Sequence, residues 1–527
     1  MIKCELSVGI GYTDDVIKSA LTEIYPLDRC ELSDVVILKR ELVLKDKSNP
    51  YYKLSVGLSL TEEREAGLLK MRKKFSSVPD YTLVAPTVKI STRPVVVGSG
   101  PAGLFSALIL AEAGARPIVL ERGESVLERG KKVERFAALG ILDPESNVQF
   151  GEGGAGTYSD GKLKVGGMDK YKMKVLSEFV LAGVTEDILY STTAHLGTDR
   201  LSGIVSSIRE RIISLGGEFV FSARLDDITV KDGKIKGVSY TKGGEEITLS
   251  TDDVILAIGH SARDTLCMLY NKGVNMVARP FGIGARIEHP REYINELVYG
   301  KNYDARLESA NYHLVTHLKN GRSVYSFCMC PGGTVVPAAS EEGGIVTNGM
   351  SNFMRNGENS NAAFLVSVTP DDFPSDSPLA GFELQERIEK RAYALTGNTY
   401  RAPATRLEDM IKENKPISYG SLSSTYPIGT ELHSTREYLP DFVADSLSAS
   451  IKDFDEWMGG FYYPDALVVG PETRTTSPVR LLRGDDFSAF GIEGLYPAGE
   501  GAGYSGGIVS SAVDGIKCAL ALLQKYE

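Results

Sequence analysis

The sequence predicts an α/β protein built around an open, mostly parallel sheet, and three observations lead to that prediction. A β-rich run, Val95 to Val97, ends in a glycine-rich turn that an apolar helical segment follows. A second strand then ends in Glu121. Near the end of the chain, another strand again ends in glycine and an acid, Gly499-Glu500. Strand–helix–strand units of this kind build parallel sheets with a ligand crevice at the carboxyl ends of the strands.

Residues 1–92 precede this unit and are predicted to form a small N-terminal domain. They contain a strand at 2–8, a helix at 14–24, a hairpin turning at Ser48-Asn49-Pro50 and a helix at 61–74. This order suits a ferredoxin-like α/β sandwich. Basic residues close the second helix and would suit RNA, but acids open it, which is the arrangement that the helix dipole favours. We therefore expect a solvated helix there rather than an RNA site.

The glycine-rich turn, GSGPAG at residues 98–103, has the spacing of a dinucleotide-binding fingerprint. Gly98 makes the tight turn, Gly100 lets the backbone approach a pyrophosphate, and Gly103 lets the helix pack on the strand. The pyrophosphate would lie at the helix N-terminus, where free N–H groups favour an anion. Glu121 follows Gly98 by 23 residues and is placed to accept hydrogen bonds from ribose hydroxyls, which favours FAD or NAD over NADP.

The residues after the second strand continue the same fold. Apolar residues between 201 and 212 recur at helical spacing, and residues 218–222 are predicted to be a third strand. Turns at Asp232-Gly233 and Gly243-Gly244 predict a three-stranded β-meander. Residues 254–258 then return to the sheet, and the late strand leads through several glycines into a helix over 508–523.

Four features in this order resemble the glutathione-reductase-like class of FAD-binding proteins. They are the fingerprint with Glu121, the meander, the strand ending AIGH at 257–260, and the late motif YPAGEGAGYSGG at 496–507. The resemblance implies that Glu500 lies on the ribityl or pyrophosphate side of FAD, and that the helix N-terminus near Gly507 and Ile508 faces the pyrimidine ring. Such an N-terminus would stabilise reduced flavin, which is negative near N1 and O2. We therefore expect FAD rather than NAD, bound by a Rossmann domain with a β-meander.

A narrower resemblance covers most of residues 94–527. The segments GEGGAGTYSDGKL, GHSARDT, RPFGIGARIEHP, FCMCPGGTVVPAASE and ETRTTSPVRLLRG are similar to a bacterial family of FAD-dependent dehydrogenases, described as NAD- or FAD-utilising with an unsettled substrate. The predicted organisation is an FAD-binding domain of residues 93–274 and 490–527, with an α+β substrate or cap domain at 275–489 inserted before the last FAD strand. Ligand pockets favour domain interfaces of this kind.

The expected cofactor-binding residues come from the two glycine motifs, the strand ends and a glycine-rich loop at 151–156. This loop would lie along the isoalloxazine ring, with Lys162 near enough to stabilise anionic flavin or to bind substrate. Arg129, Lys131 and Lys132 would either help to bind the pyrophosphate or form a solvated helix face. NAD(P)H would dock only transiently, since the sequence holds one full fingerprint. The predicted set is Gly98, Gly100, Pro101, Ala102, Gly103, Glu121, Arg122, Gly153, Gly154, Gly156, Lys162, Leu225, Ala257, Gly259, Gly499, Glu500, Gly507 and Ile508.

Three residues are candidates for catalysis: Lys162, His260 and Cys330. His260 follows the end of a strand and is either a general acid near neutral pH or a hydrogen-bonded residue between domains. Cys330 and Cys328 invite a redox-dithiol interpretation. A Cys-x-Cys pair in a regular strand points its side chains to opposite faces, however, which favours a role as small apolar packing residues.

Arg474 and Arg480 are the candidates for binding a carboxylate or phosphate of the substrate. The alternative is that the arginines of this segment pair with Asp485 and Asp486 at the surface. No metal site is expected. His313 and His317 have a spacing that suits a metal only in a helix, and they lie in a predicted hairpin whose turn is Asn320-Gly321.

Composition limits the classes of protein further. A chain of 527 residues has room for two or three domains. The net charge of −11 and a pI of about 5.3 argue against a general binder of nucleic acid or anionic membranes. No apolar run is long enough to span a bilayer, the N-terminus lacks a secretory segment, and the six cysteines suit a reducing compartment. We expect a cytoplasmic protein with a small-molecule substrate, and the sequence indicates no oligomeric state.

The function that these predictions favour is an FAD-dependent oxidoreductase. A hydride would pass through flavin N5 to or from a small organic substrate, with NAD(P)H as one candidate donor. One alternative is a flavin-dependent RNA-modifying enzyme that uses residues 1–92 as its RNA module. The other is a non-catalytic sensor or scaffold that binds flavin.

Overall fold

The N-terminal residues form an antiparallel sheet covered by two helices. The computed structural model describes residues 1–163 and 167–527. The first elements follow the order β-α-β-β-α-β, and their strands pair in the order β2-β3-β1-β4. Alternate residues of the first strand are buried, which gives the sheet one apolar face for the helices. The elements are β1 Ile2–Gly9, α1 Asp14–Ile24, β2 Val35–Val43, β3 Tyr51–Leu58, α2 Glu62–Leu69 and β4 Ser76–Ser77.

The predicted order of this region is confirmed, but its second helix is shorter than predicted. The pattern of residues predicts a helix over 61–74, whereas α2 ends at Leu69. Phe75 is buried in the core of this sheet and contacts Tyr25 with ring centroids 5.0 Å apart. The chain must leave the helix to bring Phe75 inside, so the basic residues lie in a turn and not on a helix face.

A five-stranded parallel sheet lies at the centre of the next region, with the strand order β23-β11-β5-β6-β7. The predicted strand–helix–strand unit is confirmed, and its helix α3 is buried on all sides between the sheet and other helices. The elements are β5 Val95–Val97, α3 Pro101–Glu112, β6 Ile118–Leu120, α4 Val126–Leu139, α5 Lys170–Leu181, α6 Thr198–Ser214, β7 Glu218–Val220, β8 Arg224–Lys231, β9 Lys234–Lys242, β10 Glu245–Ser250, β11 Val254–Leu256 and α7 Arg263–Asn271.

The strands β8, β9 and β10 form the predicted antiparallel meander, with turns at Asp232-Gly233 and Gly243-Gly244. The meander packs its apolar face against the other side of the parallel sheet, in a core shared with β5 and β11. The glutathione-reductase-like assignment of this region stays an expectation.

A second, seven-stranded sheet follows, with the order β14-β15-β18-β13-β21-β19-β20. The hairpin predicted around Asn320-Gly321 is confirmed as β14 and β15. The elements of this region are β12 Met276–Ala278, β13 Phe281–Pro290, α8 Arg291–Tyr299, β14 Val315–His317, β15 Ser323–Cys330, β16 Thr334–Pro337, β17 Thr347–Met350, β18 Asn359–Val368, α9 Ala380–Leu395, β19 Ala402–Arg406, α10 Leu407–Lys412, β20 Thr430–Leu432, α11 Asp441–Met458, β21 Leu467–Glu472 and β22 Val479–Leu481. Two small sheets, β12 with β22 and β16 with β17, accompany the seven-stranded sheet.

The chain then returns to the parallel sheet through β23 Leu495–Pro497 and ends in α12 Ile508–Gln524. Packing crosses the predicted boundaries in two places. Val88 lies in the core of α3, and Met276 and Leu481, from β12 and β22, lie in the core shared by β5, β11 and the meander. The division into 1–92, 93–274 with 490–527, and 275–489 stays a prediction. Within the described parts of the chain, we found no helix with both the length and the apolar character needed to cross a bilayer.

Candidate cofactor and active site

A cavity of about 320 Å³ lies where the carboxyl ends of β5, β6 and β11 meet the N-termini of α3 and α12. Segments from both sheets line it. The parallel sheet contributes the glycine turn, Glu121 and the late motif, and the second sheet contributes residues of β15 and β21. The carboxyl edge of a parallel sheet is the usual ligand site of an open α/β fold.

The glycine turn has the tight geometry that the sequence predicts. Gly98 has a φ of +95°, which favours glycine, and a Cβ there would overlap the carbonyl oxygen of Ala257. A Cβ at Gly103 would overlap the carbonyl oxygen of Gly98, so only glycine lets α3 approach β5 this closely. The first N–H groups of α3 therefore point toward the cavity from a fixed position.

Glu121 is buried and organises the turn. Its carboxylate accepts hydrogen bonds from the Ser99 amide at 2.9 Å and hydroxyl at 2.7 Å, and from the amides of Gly123 at 2.9 Å and Gly151 at 3.0 Å. These four bonds use the acceptor positions of a carboxylate. The contact with ribose hydroxyls stays a prediction, and it requires one of these bonds to be exchanged.

Arg129 holds the glycine-rich loop, a role that the sequence did not reveal. Its fully buried guanidinium donates to the carbonyl oxygens of Asn147, Val148, Gly151, Glu152 and Gly154, at 2.7–3.2 Å. It is thus neither a pyrophosphate ligand nor part of a solvated face. Lys131 and Lys132, on the same helix α4, do lie at the surface and pair with acids. In the sequence, Arg129 lies close to Lys131 and Lys132, and nothing there distinguishes the buried residue from the two at the surface.

The glycine-rich loop packs against both glycine motifs. A Cβ at Gly154 would lie 3.0 Å from the Cα of Gly100, and one at Gly156 would lie 3.2 Å from the side chain of Ile508. A Cβ at Gly499 would in turn lie 2.7 Å from the Cβ of Ala102. Three separate stretches of backbone therefore converge here because none carries a side chain that would fill the space between them.

These features fit an elongated dinucleotide such as FAD. Two helix N-termini, those of α3 and α12, reach the same cavity and favour anionic groups. The glycine backbone leaves room for close approach along the cavity. The predicted cofactor residues that line it are Gly98, Gly100, Pro101, Ala102, Glu121, Arg122, Gly154, Gly156, Lys162, Leu225, Ala257, Gly259, Glu500, Gly507 and Ile508. Gly103, Gly153 and Gly499 lie behind this lining and shape it.

Two glutamates in the cavity have raised pKa values. Burial raises the pKa of Glu500 to about 8, although Arg279 acts in the opposite direction. Burial raises the pKa of Glu472 to about 7, against the lowering effect of Arg286, whose guanidinium lies 3.1 Å from it. Glu472 lies in one of the family segments, but nothing in that segment alone indicated a buried acid. Carboxyls of this kind exchange protons near neutral pH.

Lys162 lies in the cavity wall, and its contact with flavin or substrate stays a prediction. Its ammonium donates to the Met329 carbonyl, lies 3.4 Å from the Asn311 amide oxygen, and lies 3.8 Å from the buried Asp160 carboxylate. Burial lowers its pKa, while Asp160 raises it.

The environment of His260 corrects one prediction. The ring lines the cavity and its Nδ1 lies 3.0 Å from the Ser261 hydroxyl. Burial lowers the pKa of His260 to about 4, and the nearby Arg474 and Arg263 lower it further. The imidazole is therefore neutral at neutral pH and lacks the extra proton of the predicted general acid. The alternative role, as a hydrogen-bonded residue at this junction, fits the geometry.

Cys330, a predicted candidate for catalysis, does not reach the cavity. It is fully buried and lies behind the cavity, whereas Cys328 is the cysteine that lines it. The expectation that the two side chains point to opposite faces assumed a regular strand, but β15 carries a bulge between Phe327 and Cys330.

The two candidate substrate arginines are separated. Arg474 reaches the cavity wall, but its guanidinium is paired with Glu389 at 2.8 Å and with Glu341 at 3.1 Å. Arg480 lies outside the lining, where it donates to the Gly503 carbonyl and stacks over Tyr504. Arg474 is therefore already paired with acids, and Arg480 is not part of the lining. Arg483 pairs with Asp514 rather than with the predicted surface acids.

Comparison with known proteins gave matches along the chain. Residues 91–134 match the family described as FAD binding domain, and residues 280–475 match the one described as FAD-dependent protein, C-terminal domain-like. An uncharacterized protein of Clostridium beijerinckii is 43% identical over 529 residues, which covers 99% of this chain and 98% of that protein.

More distant likenesses occur among solved structures. The flavin-dependent brominase Bmp2 is 12% identical with a TM-score of 0.37, over 83% of this chain and 80% of that chain. The halogenase PltM in complex with FAD is 10% identical with a TM-score of 0.37, over 83% and 69%. The quinol fumarate reductase FrdA of E. coli is 12% identical with a TM-score of 0.35, over 82% and 69%. At this distance these structures do not bear on the function.

Proposed function

Since this chain belongs to a bacterial family of FAD-dependent proteins, we propose that it is an FAD-dependent oxidoreductase that transfers a hydride to or from a small organic substrate. The observation that carries the proposal is one continuous cavity. It is lined both by the glycine motifs that suit the cofactor and by groups that suit chemistry, namely Lys162, Glu472 and Glu500. A site for FAD alone would not need ionisable groups with shifted pKa values in the same wall.

The chain's own groups have three roles in this proposal. The N-termini of α3 and α12 bind and orient the cofactor and favour negative charge beside it. When bound, FAD supplies hydride transfer at its N5 atom. Tyr312 and Met329 contribute further to the cavity wall.

Proton transfer is assigned to Glu472, because burial brings its pKa to about 7. A group with this pKa can both give and accept a proton near neutral pH. Arg286 holds the carboxyl in place through two contacts at 3.1 and 3.2 Å. Lys162, whose pKa burial lowers, is placed to bind an anionic group of the substrate or to share the proton.

The donor is tested by anaerobic addition of NADH, then NADPH, to the purified holoprotein. Bleaching of the flavin band at about 450 nm identifies a nicotinamide donor. If neither nucleotide bleaches the band, NADH and NADPH are excluded as donors, and small alcohols, amines and acids are screened instead. A flavin that dithionite reduces but that no organic donor or acceptor turns over would overturn the oxidoreductase proposal.

The role of Glu472 is tested with Glu472→Gln. We expect unchanged FAD content and a reduction by the active donor that is slower by about 10²-fold or more, the usual size of a general acid–base contribution. Glu63→Gln, at an exposed position of α2, is the matched control and should be unchanged. An equal rate in Glu472→Gln would remove Glu472 from the mechanism.

A further inference from the structure

Two cysteines lie next to each other on the bulged end of β15, at the wall of the cavity. Cys328 lines the cavity and Cys330 is fully buried behind it. Both are free thiols in the structure. The mechanism proposed above uses neither of them.

The bulge removes the geometric objection to a Cys-x-Cys pair. Phe327 lies opposite Ala363 and Cys330 lies opposite Asn361, so three steps along β15 match two steps along β18. Cys328, at the bulge, has a φ of +40°, a region that residues other than glycine rarely adopt. Strict alternation of side chains is lost at such a point. The Cys330 thiol also lies 3.3 Å from the Cys328 carbonyl oxygen.

Two cations flank the pair. The Arg286 guanidinium donates to the Cys328 carbonyl at 2.7 Å and lies 3.6 Å from the Cys330 sulfur. The Lys162 ammonium donates to the carbonyl of Met329, the residue between the two cysteines. Interaction with the Cys330 thiol, together with the charges of Arg286 and Lys162, lowers the pKa of Cys328 below its usual value. The thiolate is the reactive form of cysteine, so this environment favours exchange chemistry over inert packing.

Packing alone does not explain this arrangement. A small apolar residue in a strand needs neither a bulge with a positive φ nor two cationic side chains directed at its peptide. Backbone outliers of this kind persist where the surrounding structure holds them, and they cluster at functional sites. Cys328 also lies close enough to Glu500, in the late glycine motif, to raise that group's pKa. The pair therefore lies near the part of the cavity assigned to the cofactor.

We propose that Cys328 and Cys330 are a redox-active pair that exchanges two electrons with the bound FAD. This inference rests on the proposed function, because FAD is the electron partner. In the oxidising direction the Sγ–Sγ bond forms and both S–H bonds break. One thiol proton and the electron pair leave as a hydride equivalent to oxidised FAD, giving FADH⁻, and the second proton passes to water. The reverse step breaks the Sγ–Sγ bond and restores both thiols, so that the holoprotein stores a second electron pair.

The test is an anaerobic reductive titration of the holoprotein with dithionite, combined with differential alkylation. From the air-oxidised state, wild type should consume two electron pairs for each FAD, one for the flavin and one for the disulfide. Cys328→Ser and Cys330→Ser should each consume one pair. Cys30→Ser, at an exposed position of the N-terminal region, is the matched control and should behave as wild type.

Alkylation of the wild type gives a readout that does not depend on how the variants fold. The peptide that carries both cysteines should be protected from alkylation in the oxidised protein and doubly alkylated after reduction. The proposal is overturned if wild type consumes one electron pair for each FAD and both thiols are alkylated equally in the two states. A protein that contains no reducible flavin would instead contradict the proposed function, which the absorbance recorded in the same titration reports separately.

Discussion

Replacing Arg129 with methionine tests whether the glycine-rich loop is held in place for the cofactor. The guanidinium is fully buried and makes five hydrogen bonds to carbonyl oxygens between residues 147 and 154. Methionine keeps much of the unbranched stem and removes every donor. The loop then loses the group that holds its backbone next to Gly100.

The expected size of the effect follows from those five bonds. A hydrogen bond to a charged donor contributes about 1.5 kcal/mol or more to stability. If half of the carbonyls find another partner in water, the loop loses roughly 3–4 kcal/mol. Each 1.4 kcal/mol changes an equilibrium constant tenfold. If the whole loss falls on the loop conformation that binds FAD, the affinity for FAD should decrease by about 100- to 1000-fold.

The assay is titration of the FAD-free protein with FAD, followed by the change in flavin fluorescence, together with urea unfolding. Lys131→Met is the matched control, because Lys131 lies on the same helix but is exposed and forms its ion pair with the exposed Glu128. The control should bind FAD as wild type does. Binding by Arg129→Met within about twofold of wild type, with an unchanged urea midpoint, would refute this account of the loop.

Three further substitutions test the turn, the cavity and the contact between the two sheets. Gly103→Val places a side chain against the Gly98 carbonyl and should abolish FAD loading, whereas Gly203→Ala, at an open position of α6, should keep full absorbance per chain. Burial raises the pKa of Glu500 from 4.5 to about 8, so the folded protein keeps a proton that the unfolded chain releases. The free energy of unfolding of the FAD-free protein should therefore fall as the pH rises from 4.5 to about 8. Urea unfolding of Glu500→Gln should show a smaller fall over the same pH range. Glu389→Gln removes the buried carboxylate that Arg263 and Arg474 share and leaves both paired with the more exposed Glu341. This should lower the free energy of unfolding by about 3 kcal/mol, the lower end for a broken buried pair, while the exposed Glu386→Gln should change it by less than about 0.5 kcal/mol in the same urea assay.

The elements that the sequence predicts well are those with local causes. Three valines and a glycine turn are enough to predict β5 and the start of α3, because only glycine fits the positive φ of Gly98. The meander follows from the turn signals Asp232-Gly233 and Gly243-Gly244 between β-rich runs. The length of α2 was predicted less well, since the burial of Phe75 depends on strands that lie far away in sequence.

The features that the sequence does not reveal depend on contacts between distant segments. The bulge in β15 arises from its pairing with β18, about 30 residues later, so the relation between Cys328 and Cys330 has no local pattern. The lowered pKa of His260 depends on burial by the second sheet and on Arg474, which is distant in sequence. Glu472 becomes a candidate acid because distant segments bury it and raise its pKa, a rise that Arg286 opposes.

The measurement that tests the central claim most directly is the identity and amount of flavin bound to the purified protein. The visible spectrum is recorded before and after reconstitution with FAD, and the released flavin is identified by its mass. We expect bands near roughly 370 and 450 nm and close to one FAD for each chain. A protein that binds no flavin after reconstitution, or that binds only the mononucleotide, would contradict the account, because the glycine turn, Glu121 and α3 would then have no dinucleotide to hold.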